Sequence, residues 1–98
     1  MVTMCSYDIA DDKRRAKVAD ILLSHGCLRL HYSVYAGEIN GPTYRSLVKA
    51  LRSEIGQGKI ESVRVWRLSV DAFRNNIHLG DGQDIELIFM NRGMTVIF

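Results

Sequence analysis

The sequence predicts a two-layer α/β sandwich, and three observations carry that prediction. Extended runs alternate with amphipathic helical periods, in the order strand, helix, strand, helix, strand. The chain has 98 residues, enough for one hydrophobic core and no second. Its composition, 47% hydrophobic and 24% charged, belongs to a folded domain rather than a disordered chain.

The opening run, Val2 through Ile9, lacks a helical period and is rich in strand-compatible residues, so it reads as a buried strand that turns polar at Asp8. Asp11 and Asp12 then stand where an N-cap belongs, with charge that complements the helix dipole. Between Lys13 and His25 the apolar residues Val18, Ala19, Leu22 and Leu23 recur at helical spacing, and Gly26 follows as a C′ residue. From Leu28 to Gly37 apolar and polar residues alternate with period two, which predicts one extended segment of ten residues. Asn40-Gly41-Pro42 breaks it, with Pro42 placed for the first turn of a second helix. In that helix Tyr44, Leu47, Val48, Leu51 and Ile55 form the apolar stripe, closed by Gly56 and Gly58.

Ile60 to Leu68 reads as a strand with Val63 and Val65 on one face and Arg64 and Trp66 on the other. A shorter extended piece is expected near Arg74 to Leu79, ended by Gly80-Asp81-Gly82. Two helices on one face of such a sheet match the ferredoxin-like topology, a split βαβ pair, in residues 1–80. Residues 81–98 add two more apolar extended segments, 85–90 and 94–98. A lone apolar strand is an adhesive edge, so this tail is expected to pair with the sheet of a second protomer, giving a homodimer; folding back on its own sheet is the alternative.

Charge narrows the partners only slightly. Thirteen Lys and Arg against eleven Asp and Glu give +2, but residues 1–80 carry +4 and the tail −2. That excess permits polyanion binding without demanding it. No stretch approaches the about 20 apolar residues of a membrane span. Asp8, Asp11 and Asp12 interrupt the N-terminus before any export-signal core, and Cys5 and Cys27 are too few for a disulfide scaffold. A cytoplasmic, reduced setting is the expectation, with both cysteines as small core residues.

Metal-finger spacings, phosphate-binding glycine loops and a nucleophile elbow are absent from the sequence. Asp8 is the residue to weigh. A carboxylate at the C-terminal end of the first strand sits where open α/β sheets place ligands. One carboxylate is a poor Mg²⁺ site, but two copies facing each other across a dimer axis would recruit a cation. The other reading is a turn or helix cap without chemistry, and spacing leaves both open. Lys13, Arg14, Arg15 and Lys17 put four cations within five residues, able to grip a phosphate backbone or to form a solvated helix face. Trp66, flanked by Arg64 and Arg67, reads as core or interface ahead of a base-stacking residue, and Tyr7 and Tyr35 as packing residues.

Tyr7-Asp8-Ile9, the Asp11-to-Val18 stretch, Gly26, Arg29-x-His31-x-Ser33-Val34-Tyr35 and Ser62-Val63-Arg64-Val65 together resemble the small CRISPR-associated Cas-two family, from about residue 4 to residue 80. The resemblance implies a ferredoxin-like homodimer whose C-terminal strands join the partner's sheet, and a bend within 28–38 that divides it into two short strands. It implies that Asp8 is the catalytic and metal-binding acid, with Mg²⁺ or Mn²⁺ as cofactor and Tyr7, Arg29, His31 and Ser33 in support. Family members are described as Mg²⁺-dependent endonucleases on single-stranded RNA or double-stranded DNA. They are also described as the non-catalytic subunit bridging Cas-one integrase dimers in spacer acquisition; a ribonuclease toxin of the same fold is a third class. This sequence departs from the family pattern with His31 in place of a frequent Gln and Ala36 in place of a frequent acidic residue.

Overall fold

A computed structural model describes residues 1–56 and 61–81. The elements are β1 (Val2–Ile9), α1 (Asp12–Ser24), β2 (Leu28–His31), β3 (Val34–Glu38), α2 (Gly41–Glu54), β4 (Glu61–Leu68) and α3 (Val70–Arg74). The four strands form one sheet in the order β2-β3-β1-β4, and every neighbouring pair is antiparallel. Two βαβ crossovers therefore interleave, β1-α1-β2 and β3-α2-β4, which is the ferredoxin-like arrangement. The expected strands at 85–90 and 94–98 lie outside the described residues.

Local chemistry sets the helix ends. The Asp11 carboxylate accepts from the Lys13 and Arg14 backbone N–H groups, while α1 closes with a Schellman pair: Cys27 N–H to Leu22 O and Gly26 N–H to Leu23 O, with Gly26 at φ 91°. At α2 the Asn40 side chain accepts from Thr43 N–H at 2.8 Å, and Pro42 occupies the first turn, where its missing donor costs nothing.

Strand parity then sorts side chains onto two faces. Cys5, Tyr7 and Ile9 of β1 pack with Val18 and Leu22 of α1 and with Leu47 and Leu51 of α2, forming the main core. Cys27 and Tyr35 join it, so both cysteines and Tyr35 are buried as expected. Val2 packs on the opposite face with Ala36 and Phe73, and Met4, Leu28, Leu30 and Leu68 gather around them. Burial pushes the Cys5 thiol up to about 12, helped by nearby Cys27, and Cys27 up to about 11, so neither is a thiolate near neutrality.

Two expectations are corrected. Residues 28–38 form a β-hairpin rather than one strand: Tyr32 and Ser33 make the turn, and the register slips between Arg29 and His31. The turn needs no glycine because β1 holds it, with Tyr7 N–H donating to Ser33 O and Tyr7 Oη–H to Tyr32 O, both at 3.1 Å. The bend that the resemblance implied is therefore present. The second correction is that residues 70–74 are helical: Ser69 caps the turn by accepting from Ala72 N–H, which lets Phe73 reach Val2 and Ala36. Residues 76–79, expected to be extended, carry no regular structure.

Candidate functional site

Asp8 is the penultimate residue of β1, paired in register with Ser62 of β4. It is exposed, and among the described residues its carboxylate makes no hydrogen bond or ion pair. Capping falls to Asp11, so the cap reading of Asp8 loses its role. By parity Asp8 follows Val2, Met4 and Ser6 onto the face away from α1 and α2, where Ser62, Arg64 and Trp66 lie opposite on β4. Trp66 is half exposed there among the described residues.

Beside Asp8 opens a cavity of about 590 Å³, bounded by the start of α1 and the β2–β3 turn. Asp8, Tyr7, Arg29 and Ser33 line it, together with Asp12, Arg15, Tyr32 and Tyr35. Arg15 is spent on its own loop: Nη1 donates to Ile9 O at 3.0 Å and Ala10 O at 2.9 Å, and Nη2 pairs with Asp12. It thereby fixes the chain just after Asp8. The Tyr7 and Tyr35 rings stand 6.0 Å apart, and the Tyr35 phenol is pushed up to about 12, first by burial and then by its hydrogen bond with Tyr7. Arg29 lies 5.2 Å from the Tyr32 ring centroid, and His31 meets that ring edge-on. Ser33 contributes its backbone carbonyl, and no bond joins it to His31 or Asp8 among the described residues, so no Ser-His-Asp relay forms.

The basic run divides in the same way. Arg14 is an internal clamp: Nη1 reaches Glu54 Oε2 at 2.9 Å, while Nη2 and Nε reach Glu61 at 2.7 and 3.2 Å. Its Nη2 also donates to Glu54 O. The clamp joins α1, α2 and β4, and the hydrogen bonds that Arg14 donates to Glu61 and then to Glu54 raise the guanidinium pKa further above its ordinary value. Lys17 pairs with the other oxygen of Glu54 at 3.0 Å but stays mostly exposed. Lys13 is exposed and makes no ion pair among the described residues.

Lys17, then Arg14, holds the Glu54 carboxyl below its ordinary value. Stabilisation from Glu54 is complete above its unfolded pKa of about 4.3 and is lost as pH falls through the lowered folded value. Arg14→Ala is therefore expected to lower Tm at neutral pH clearly more than Lys13→Ala does. That difference should shrink in acid as Glu54 protonates; thermal melts across pH check both.

The profile of the family described as CRISPR associated protein Cas2 matches residues 1–76, which hold every element of the sheet and the whole cavity. The chain belongs to the Cas2 family. A CRISPR-associated endoribonuclease Cas2 of Chloroflexus aurantiacus is 35% identical over 82 residues, covering 84% of this chain and 86% of that protein. One from Pyrobaculum aerophilum is 32% identical over 80 residues, 82% and 87% of the two chains. The crystal structure of a hypothetical protein from Thermus thermophilus superposes with a TM-score of 0.67 at 26% identity, covering 84% of this chain and 93% of that one. Streptococcus pyogenes Cas2 shares the fold at TM-score 0.68 and 22% identity, covering 82% of this chain and all of that one. No helix among the described residues is long and apolar enough to cross a membrane.

Tyr32 is the cavity residue that sequence reasoning placed wrongly, on an apolar strand face, although it is 78% exposed. Ser33, a residue type common in turns, is the one local sign of the bend.

Proposed function

We propose that this Cas2 chain is a metal-dependent endonuclease acting on RNA or DNA in CRISPR adaptation, with Asp8 shared between two protomers. The observation that carries the reading is Asp8 itself: an exposed carboxylate at a strand end, without a partner among the described residues, beside a cavity that also holds an arginine. Its donors are hard oxygens, which suit Mg²⁺ or Mn²⁺. One carboxylate makes a poor site for such an ion, and on this reading a facing copy of Asp8 supplies the second. Arg29 would orient the scissile phosphate and Tyr7 would hold the wall behind it. When bound, the metal ion supplies water activation and charge neutralisation. The relatives named as endoribonucleases support the same reading. Cleavage of labelled RNA by the purified chain is expected to require added Mg²⁺ or Mn²⁺ and to stop with chelator; cleavage that persists in chelator removes the metal from the reading.

A non-catalytic second reading needs no catalytic carboxylate: the dimer binds duplex DNA through its basic run and bridges it to a Cas-one integrase during spacer acquisition. Lys13 and Lys17 are then the contacts from the basic run, because Arg14 and Arg15 are tied internally. Lys13→Glu is expected to weaken duplex binding and to lower the slope of log affinity against log salt by about 1. An unchanged slope would remove Lys13 from the interface.

A further inference from the structure

We propose that the cavity beside β1 seats one unpaired nucleotide of a single strand, with the Tyr32 ring as its stacking platform and Arg29 as its phosphate contact. The inference deepens the nucleic-acid reading above and rests on it, but it does not need cleavage.

Tyr32 is 78% exposed, so the fold gains almost nothing by burying it. It is nevertheless held in place. Its carbonyl accepts from Tyr7 Oη–H, the next carbonyl accepts from Tyr7 N–H, Arg29 lies 5.2 Å from its centroid, and His31 abuts its edge. An aromatic ring ordered in advance and left open to solvent loses little entropy when a flat partner stacks on it. Bases are such partners whatever their sequence.

Arg29 adds the charge. Its Nε donates only a long 3.4 Å bond to His31 O, and no carboxylate pairs with it among the described residues. The remaining guanidinium donors are free for a phosphate oxygen, in the bidentate geometry that arginine offers. The cavity, about 590 Å³, falls in the range that holds small ligands of nucleotide size. Of the two arginines that line the cavity, Arg15 is tied to Ile9 O, Ala10 O and Asp12, which leaves Arg29 as the phosphate contact among the described residues. A base inside a duplex is already stacked on both faces and cannot use the ring, so the site selects an unpaired one.

The test is fluorescence anisotropy in chelator, where no metal-dependent cleavage can interfere. Labelled oligouridine RNA, oligothymidine DNA and a blunt duplex are titrated with wild type, Tyr32→Ala and Tyr32→Phe. Tyr32→Ala is expected to weaken binding of the RNA or both single strands about tenfold to a hundredfold, with the duplex unchanged. Tyr32→Phe should bind like wild type, and all three proteins should melt alike. A loss confined to RNA would add a ribose contact, and an equal loss on DNA would assign the affinity to stacking alone. Single-strand binding that survives Tyr32→Ala, or a duplex that weakens equally, overturns the proposal. Wild-type chain that binds single strands through Tyr32 yet never cleaves them would remove the nuclease reading and leave this one standing.

Discussion

Asp8→Asn is expected to lower metal-stimulated RNA cleavage by about a hundredfold or more while leaving Tm almost unchanged. The two halves of that expectation have different causes. Asparagine keeps the shape but removes the charge that would hold a divalent ion, and losing a charge-stabilising group at a reacting centre costs about 10²–10³ in rate. Stability is insensitive because the carboxylate is exposed and unpartnered among the described residues, and such surface changes usually stay within about 0.5 kcal/mol. Labelled-RNA cleavage by both proteins, purified side by side, makes the comparison. Mixing adds a sharper readout. If two copies of Asp8 build one site, activity falls as the square of the wild-type fraction when mutant chains exchange into the dimer; a linear fall assigns a complete site to each chain. Equal cleavage by both pure proteins would exclude Asp8.

The largest stability loss is expected from Gly37→Ala, the penultimate position of β3. A Cβ there would stand 2.6 Å from Gly26 O and 2.9 Å from Cys27 Cα, both backbone atoms that no rotamer change can move. The α1 C-cap and β3 approach too closely for any side chain. Forcing atoms into a packed interior costs about 1–3 kcal/mol, and rigid backbone neighbours put this site at the upper end. For a domain of this size the melting point should fall by about 10 °C or more. Gly41→Ala is the control: its Cβ would meet only the flexible end of Arg45, at 3.3 Å, on the first turn of α2. There the reduced freedom of the unfolded chain should leave stability unchanged or slightly higher. Equal melting points for the two variants would contradict this account of Gly37.

Much of this geometry can be read from residue order. Val18 and Leu22, and Leu47 and Leu51, repeat at helical spacing and are the residues that α1 and α2 bury. Val63 and Val65 alternate with Arg64 and Trp66, and the sheet separates them onto its two faces. The β2–β3 turn is different. Tyr32-Ser33 has no Gly, Pro, Asn or Asp and only Ser33 as a turn-forming residue, and alternation continues in phase on both sides of it. The turn is imposed from outside by Tyr7, 25 residues earlier, through two hydrogen bonds. Helix α3 hides for a related reason: five residues are too few to show a period, and Ser69 is the one local sign of it.

At the site, Asp8 stands out in the sequence as a charge at a strand end, and Arg29 enters only through the resemblance. The fate of the basic run does not stand out, because it depends on acids 40 and 47 residues away. Glu54 and Glu61 draw Arg14 inward, so of four consecutive-looking cations only some face solvent. Spacing along one helix reports which side a residue is on and says nothing of what waits there.

The strand order has a consequence for how the chain is made. One of the two inner strands is β1, the first to be synthesised, yet one of its two neighbours is β4, with Thr3 opposite Arg67. Until about residue 68 has been added, β1 can hold only β3, and its other edge stays open. Contacts of such separation slow folding, since a long loop must close before they form. A ribosome-bound chain stopped before Glu61 should therefore be protease-sensitive and prone to association, and should become resistant only once β4 has emerged.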